Sequence, residues 1–216
     1  MSKKYEIFLF DLDGTITDSA LGITNSVMYA LKKFGIEETD RTKLYKFIGP
    51  PLTESFEKFY GFTKEQSLDG VKYYREYYHD KGIYENRVYD GLEEVLKKIN
   101  EAGKQAIVAT SKPEKYAKII IDHFHLTQYF ACVAGMEMDG GRGTKAQVIT
   151  YALKKNDITD KSNVLMIGDR EHDVIGAHEN GLDCLGILYG FGSRKEFEEA
   201  GADYIRENVE DILQFV

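Results

Sequence analysis

The chain has 216 residues, of which 43% are hydrophobic and 30% charged, and its formal net charge is −8. That length supports a sizeable core in one or two domains, and the acidic balance argues against a broad nucleic-acid or anionic-membrane surface. The first residues lack the apolar run of a signal peptide, and no apolar stretch reaches membrane-span length, so a cytoplasmic location is expected. The two cysteines, Cys132 and Cys184, lie among apolar residues, which suits reduced thiols better than a disulfide framework.

Residues 5–10 form an apolar run, with Ile7, Phe8, Leu9 and Phe10 in succession, and predict a strand buried on both faces. The run stops at Asp11-Leu12-Asp13-Gly14-Thr15, because two closely spaced acids cannot continue into a core unpaired. Two acids then stand at the carboxyl end of a central strand, the edge where open α/β sheets bind ligands. Hard oxygen ligands suit Mg²⁺ held by one or two carboxylates and phosphate oxygens. One acid could attack phosphorus and the other handle protons. The structural alternative is that Asp11 closes the strand and Asp13 makes an Asx-turn.

The next stretch is helical. Ile23, Val27, Ala30, Leu31 and Phe34 recur at helical spacing, with Gly35 as a stop. Further helices are predicted over 41–47, 53–60 and 64–80, the first broken by Ile48-Gly49-Pro50-Pro51. No strand is predicted between about residues 19 and 85, so residues 17–86 read as an all-helical insertion. Such a block can act as a lid that excludes water and selects substrate. Tyr73, Tyr74, Tyr77 and Tyr78 on its last helix read as a packing face, with base stacking as the alternative.

From Asp90 strands and helices alternate. A helix through Leu92, Val95, Leu96 and Ile99 ends at Gly103, and residues 104–109 are a second buried strand, closed by Thr110-Ser111-Lys112-Pro113. A helix with Ala117, Ile120 and Ile121 follows, then a strand over 129–134 and a loop at Gly140-Gly141-Arg142-Gly143. Thr144 and Gln147 form a capping-box pattern opening a helix to about Lys155. A strand over 163–167 leads into Gly168-Asp169-Arg170-Glu171-His172-Asp173, and a helix to Gly181 and a strand over 183–188 come next. A helix, a short strand near Tyr204-Ile205 and a C-terminal helix complete the chain. The alternation predicts an α/β fold with a Rossmann-like, doubly wound parallel sheet. Its core would be residues 1–16 and 87–216, carrying the inserted helical cap.

Four polar clusters then share one edge of the sheet: Asp11 with Asp13, Thr110 with Ser111, Lys145, and Asp169 with Asp173. A hydroxyl can bond a phosphate oxygen, and an ammonium can neutralise charge on a transferring group. Lys145 at a helix start opposes the helix dipole, which calls for a compensating role. Asp169 and Asp173 repel unless a cation intervenes. His123 and His125 are a weaker His-x-His pattern with no third ligand nearby. His172 reads as surface, and Arg142 as a solvated arginine that could alternatively meet an anion.

The set resembles the haloacid dehalogenase superfamily, and within it the phosphoglycolate phosphatase-like members with a helical cap. Asp11-Leu12-Asp13-Gly14-Thr15 is similar to the first motif of that family, Thr110 to the second, Lys145 to the third, and Gly168-Asp169 with Asp173 to the fourth. Relatives often carry Asn after the motif-two threonine, where this chain has Ser111. The resemblance implies a Mg²⁺-dependent phosphatase acting on a small phosphorylated metabolite, either phosphoglycolate-like or a 5′-nucleotide. It implies Asp11 as nucleophile and Asp13 as the proton donor and acceptor. Mg²⁺ would be held by Asp11, the Asp13 backbone carbonyl and Asp169, with Asp173 acting through water or by orienting Lys145. Thr110, Ser111 and Lys145 would hold phosphate oxygens. No nucleic-acid polymer or membrane partner is implied, and a monomer or weak homodimer is expected. The alternatives are a sugar-phosphate mutase of the β-phosphoglucomutase type, a phosphonatase using a cap lysine (Lys32, Lys33, Lys43, Lys46 or Lys58), and a regulatory protein without turnover.

Overall fold

The computed structural model describes residues 3–138 and 141–216; Gly140 of the predicted glycine loop lies outside them. In chain order, β1 (Ile7–Phe10) and β2 (Thr17–Asp18) precede α1 (Ala20–Lys33), a 3₁₀ segment (Arg41–Phe47), α2 (Leu52–Tyr60), α3 (Lys64–Tyr77) and a π turn (Tyr78–Gly82). β3 (Arg87–Val88), α4 (Leu92–Glu101), β4 (Gln105–Pro113), α5 (Glu114–His123) and β5 (Phe130–Met136) come next. α6 (Lys145–Lys155), β6 (Val164–Gly168), α7 (Glu171–Glu179), β7 (Asp183–Ile187), α8 (Arg194–Ala200), β8 (Tyr204–Arg206) and a 3₁₀ segment (Val209–Phe215) follow.

Six strands form a parallel sheet in the order β5-β4-β1-β6-β7-β8, which puts β1 between β4 and β6. Phe8, Leu9 and Phe10 are fully buried, as the unbroken apolar run requires of a strand covered on both faces. Leu9, Ile107 and Met166 on one side pack with Val148, Ile149 and Ala152 of α6 and Val174 and Ala177 of α7. Both cysteines are free thiols; Cys184 is buried in this cluster, whereas Cys132 is half-buried.

The chain divides into two compact units, one of Met1–Thr17 with Val88–Val216 and one of Asp18–Arg87. β2 and β3, where the chain passes between them, pair as a two-stranded ribbon. The Asp18–Arg87 unit is held by aromatic packing: Phe47 meets Phe56 edge-on at 5.2 Å, Phe56 stacks on Phe62 at 5.6 Å, and Phe62 meets Phe34 at 4.6 Å. The four tyrosines take part in packing of the same kind, Tyr74 stacking on Tyr78 at 5.3 Å and Tyr77 lying 5.6 Å from Tyr29.

Two predicted α-helices are 3₁₀ instead, and their apolar spacing explains why. Val209, Ile212 and Phe215 are buried at intervals of three, as are Leu44 and Phe47. That matches a helix of about three residues per turn rather than 3.6. The helix predicted to residue 80 leaves α geometry at Tyr77 and continues as the π turn. β4 runs four residues beyond its predicted end and takes in Thr110 to Pro113, with a shift of register against β5 between Thr110 and Pro113.

Candidate active site

β1 ends at Phe10, which lies opposite Ile167 of β6 and Val108 of β4. Asp11 therefore emerges between the ends of two neighbouring strands, its N–H donating to the Ile167 carbonyl at 2.9 Å. Asp169 leaves β6 one residue after Gly168 and is fully buried. Asp173 lies in the first turn of α7, where its Oδ2 accepts the Arg170 N–H at 3.1 Å. The carboxylates of Asp11, Asp169 and Asp173 each place an oxygen within 4.8 Å of the others.

Lys145 faces this cluster from the first turn of α6. The Thr144–Gln147 capping box is formed and fixes that helix start. The Lys145 ammonium lies 2.8 Å from Asp11 Oδ1 and 2.7 Å from Asp173 Oδ1, and donates to the Ala109 carbonyl at 3.1 Å. Burial alone would lower its pKa, but the Asp11 and Asp173 carboxylates overcome that and hold the ammonium more basic than usual.

Three carboxylates face one ammonium. Asp169 Oδ2 accepts the Phe191 N–H at 2.8 Å, but its buried Oδ1 has no hydrogen-bond partner among the described residues. Burial, then the nearby Asp173 and Asp11, raise the Asp169 pKa well above the usual carboxylate range. Burial pushes Asp173 up to about 6 against the opposing pull of Lys145. An orphaned acid oxygen inside an excess of negative charge is what a hard cation would satisfy. The residues therefore fit a metal ion.

Close packing enforces this geometry. A Cβ on Gly14, whose φ is +84°, would stand 2.1 Å from Asp169 Oδ2, and one on Gly190 would stand 2.4 Å from Asp169 Cβ. A Cβ on Gly168 would lie 2.1 Å from Asp173 Cγ. At Gly14 the conformation adds to the case for glycine, since side chains rarely adopt that φ.

Thr110 is buried at the end of regular β4, and its Oγ1 accepts the Lys112 N–H at 3.1 Å. Ser111 next to it is half-buried. The Asp13 side chain is not part of the acid cluster; both its oxygens accept from the Lys112 ammonium, at 2.9 and 2.7 Å. Sequence reasoning missed Lys112. The predicted strand ends at residue 109, before Lys112, whereas β4 continues to Pro113. It gave no role at the site to Gly190, Phe191 and Gly192, which close around Asp169 from the loop after β7.

Arg142 is neither solvated nor open to an anion. It pairs with Glu137 at 2.7 Å and Glu114 at 3.1 Å, donates to the Gly135 carbonyl and lies over the Tyr151 ring. His123 packs edge-on against Phe124, and His125 stands at φ +57°; neither joins a metal-type cluster among the described residues. The five lysines weighed for a Schiff base are all exposed, whereas a reactive lysine needs desolvation or a cationic neighbour. No helix of the described residues is long and apolar enough to cross a membrane.

Known proteins are similar to this chain. The chain is 45% identical over 193 residues to a 5′-nucleotidase of Pseudomonas aeruginosa, covering 89% of this chain and 87% of that protein. It is 35% identical to the tyrosine-protein kinase PtkA of Mycobacterium tuberculosis over 87% of this chain, and spans 63% of that longer protein. Relatives at 21% and 26% identity are named phosphoglycolate phosphatases. Among solved structures, a predicted phosphatase from Clostridium acetobutylicum superposes with a TM-score of 0.94 at 47% identity, covering 98% of each chain. The profile of the haloacid dehalogenase-like hydrolases matches residues 8–187. The sheet-edge acids, the lysine that pairs two of them and this match, which spans most of the chain, agree: the chain belongs to the haloacid dehalogenase-like hydrolase family.

Proposed function

We propose that the chain is a phosphomonoesterase for a small phosphorylated metabolite, with nucleoside 5′-monophosphates as the first substrates to test and phosphoglycolate-like acids as the second. The observation that carries the reading is the buried trio Asp11, Asp169 and Asp173 with Lys145, which pairs Asp11 and Asp173 but leaves Asp169 Oδ1 without a hydrogen-bond partner among the described residues. The 45% identity to a protein named 5′-nucleotidase, against 21% and 26% to those named phosphoglycolate phosphatase, sets the order of substrates.

Mg²⁺ suits this donor set, with the Asp11 and Asp169 carboxylates and the Asp13 carbonyl as its protein ligands. When bound it supplies positive charge against the phosphoryl oxygens. The chain's own groups do the rest. Thr110, Ser111 and the Lys145 ammonium hold phosphate oxygens. Asp11 attacks phosphorus and the P–O bond to the leaving group breaks. The departing oxygen takes the electron pair and a proton from Asp13. Asp13 then accepts a proton from water as the water oxygen attacks the aspartyl-phosphate, which releases phosphate and restores Asp11. Asp173 holds Lys145 in place from the other side. The helical unit is proposed to select the organic part of the substrate.

The test is inorganic phosphate release from nucleoside 5′-monophosphates, phosphoglycolate, hexose phosphates and p-nitrophenyl phosphate, with Mg²⁺ and with EDTA. Metal-dependent release is expected, fastest by kcat/KM on a nucleotide. Phosphate passed to a sugar hydroxyl with none released would replace this reading with a mutase.

A further inference from the structure

We propose that Lys112 is a positioning residue that sets the orientation of the Asp13 carboxyl; the proposal rests on Asp13 being the group that moves the proton. Its ammonium lies 2.9 Å from one Asp13 oxygen and 2.7 Å from the other. A single contact would leave the carboxyl free to turn about its Cβ–Cγ bond, whereas contact to both oxygens holds it. Side-chain exposure is only 6% for Lys112 and 12% for Asp13. Removing Lys112 from so dry a pair takes away the ammonium from which both Asp13 oxygens accept.

The lysine is itself held by the strand. Thr110 and Lys112 are both buried, while Ser111 between them is half-buried. The Thr110 hydroxyl accepts the Lys112 backbone N–H at 3.1 Å. The β4–β5 register shifts between Thr110 and Pro113, the kind of irregularity that re-aims a side chain beside an active site. A three-residue stretch at the end of β4 thus fixes both a proposed phosphate hydroxyl and, through Lys112, the proton-transferring acid on the loop after β1. Lys145 has a different task, since its contacts are Asp11 and Asp173.

The consequence is dependence on the leaving group. An alkyl phosphate needs a proton on its departing oxygen, while p-nitrophenyl phosphate releases a stable phenolate. kcat/KM on both esters is measured for the wild type, Asp13→Asn, Lys112→Met and Lys112→Arg. In Lys112→Met the alkyl-to-aryl ratio should fall about tenfold or more, as loss of well-placed acid catalysis implies. Asp13→Asn should move the ratio the same way, and Lys112→Arg should largely restore it. If Lys112→Met slows both esters equally while Asp13→Asn changes the ratio, the positioning role is wrong and the proton role of Asp13 stands. If neither variant changes the ratio, both readings fall. Should Lys112→Met not fold, Lys112→Gln carries the same expectation.

Discussion

The sheet edge and the helical unit solve opposite packing problems. At the sheet edge, polar groups are buried and held by charge: Lys145 lies between Asp11 and Asp173, and glycines clear room for Asp169. In the Asp18–Arg87 unit, rings are held by area, with the buried Phe47 and Phe56 in contact and the half-buried Phe34 and Phe62 packed beside them. The first arrangement costs stability and keeps it only while every charge has a partner. The second contributes stability directly, because aromatic burial is favourable in itself. The lesson is that substitutions should separate: sheet-edge changes act on turnover, helical-unit changes on folding.

The largest expected effect is that of Asp11→Asn. It should cut phosphate release to below about 0.1% of wild type, as loss of a nucleophile does, while thermal unfolding still shows a folded protein. Retained turnover would remove Asp11 as nucleophile. Next, Lys145→Ala should lower kcat by about 10²–10³-fold, the scale for one electrostatic stabiliser. It should also leave Asp11 and Asp173 to repel, so added Mg²⁺ should raise its melting temperature more than that of the wild type. A loss of only a few fold in kcat would mean that Lys145 is structural.

Phe56→Ala tests the other side of the comparison. Removing this fully buried ring should cost about 3–5 kcal/mol of folding stability by chemical denaturation. Residual kcat on p-nitrophenyl phosphate at low temperature should be close to wild type. A collapse of kcat with little loss of stability would dissolve the distinction between the two regions.

The smallest effect is one of pH. Asp173 is raised from an ordinary carboxylate value to about 6, and Asp169 is raised as well. Between roughly pH 4 and 6 the metal-free folded state therefore binds more protons at these acids than the unfolded chain does. Their contribution to stability is present at low pH and lost as pH rises through the folded pKa. A bound cation removes the penalty, so the stability gap between Mg²⁺ and EDTA should widen from pH 4 to 7, measured by urea unfolding. A gap that narrows over that range would contradict the metal site.

Much of the sheet was legible because its signals are local. The run Ile7 to Phe10, the Thr144–Gln147 capping box and the glycine stops each act within a few residues. The acid positions were legible for a related reason: charge at the end of an apolar run has few places to go. What remained hidden depends on distant pairing. Lys112 lay past the predicted end of its strand, and nothing local places it opposite Asp13, 99 positions earlier. Arg142 read as solvated because one partner, Glu114, stands 28 positions earlier at the start of α5. The 3₁₀ segments were hidden by a spacing of three that also fits one edge of an α-helix stripe.

The contact between the Phe191 amide and Asp169 Oδ2, at 2.8 Å, has a use beyond holding the loop. A backbone N–H bonded to a carboxylate senses the charge on that oxygen. A cation drawn to Asp169 would weaken that acceptor, and the ¹H–¹⁵N resonance of Phe191 would move in step with occupancy. The loop after β7 thereby carries a spectroscopic reporter of the acid cluster, readable by titration before any substrate is known.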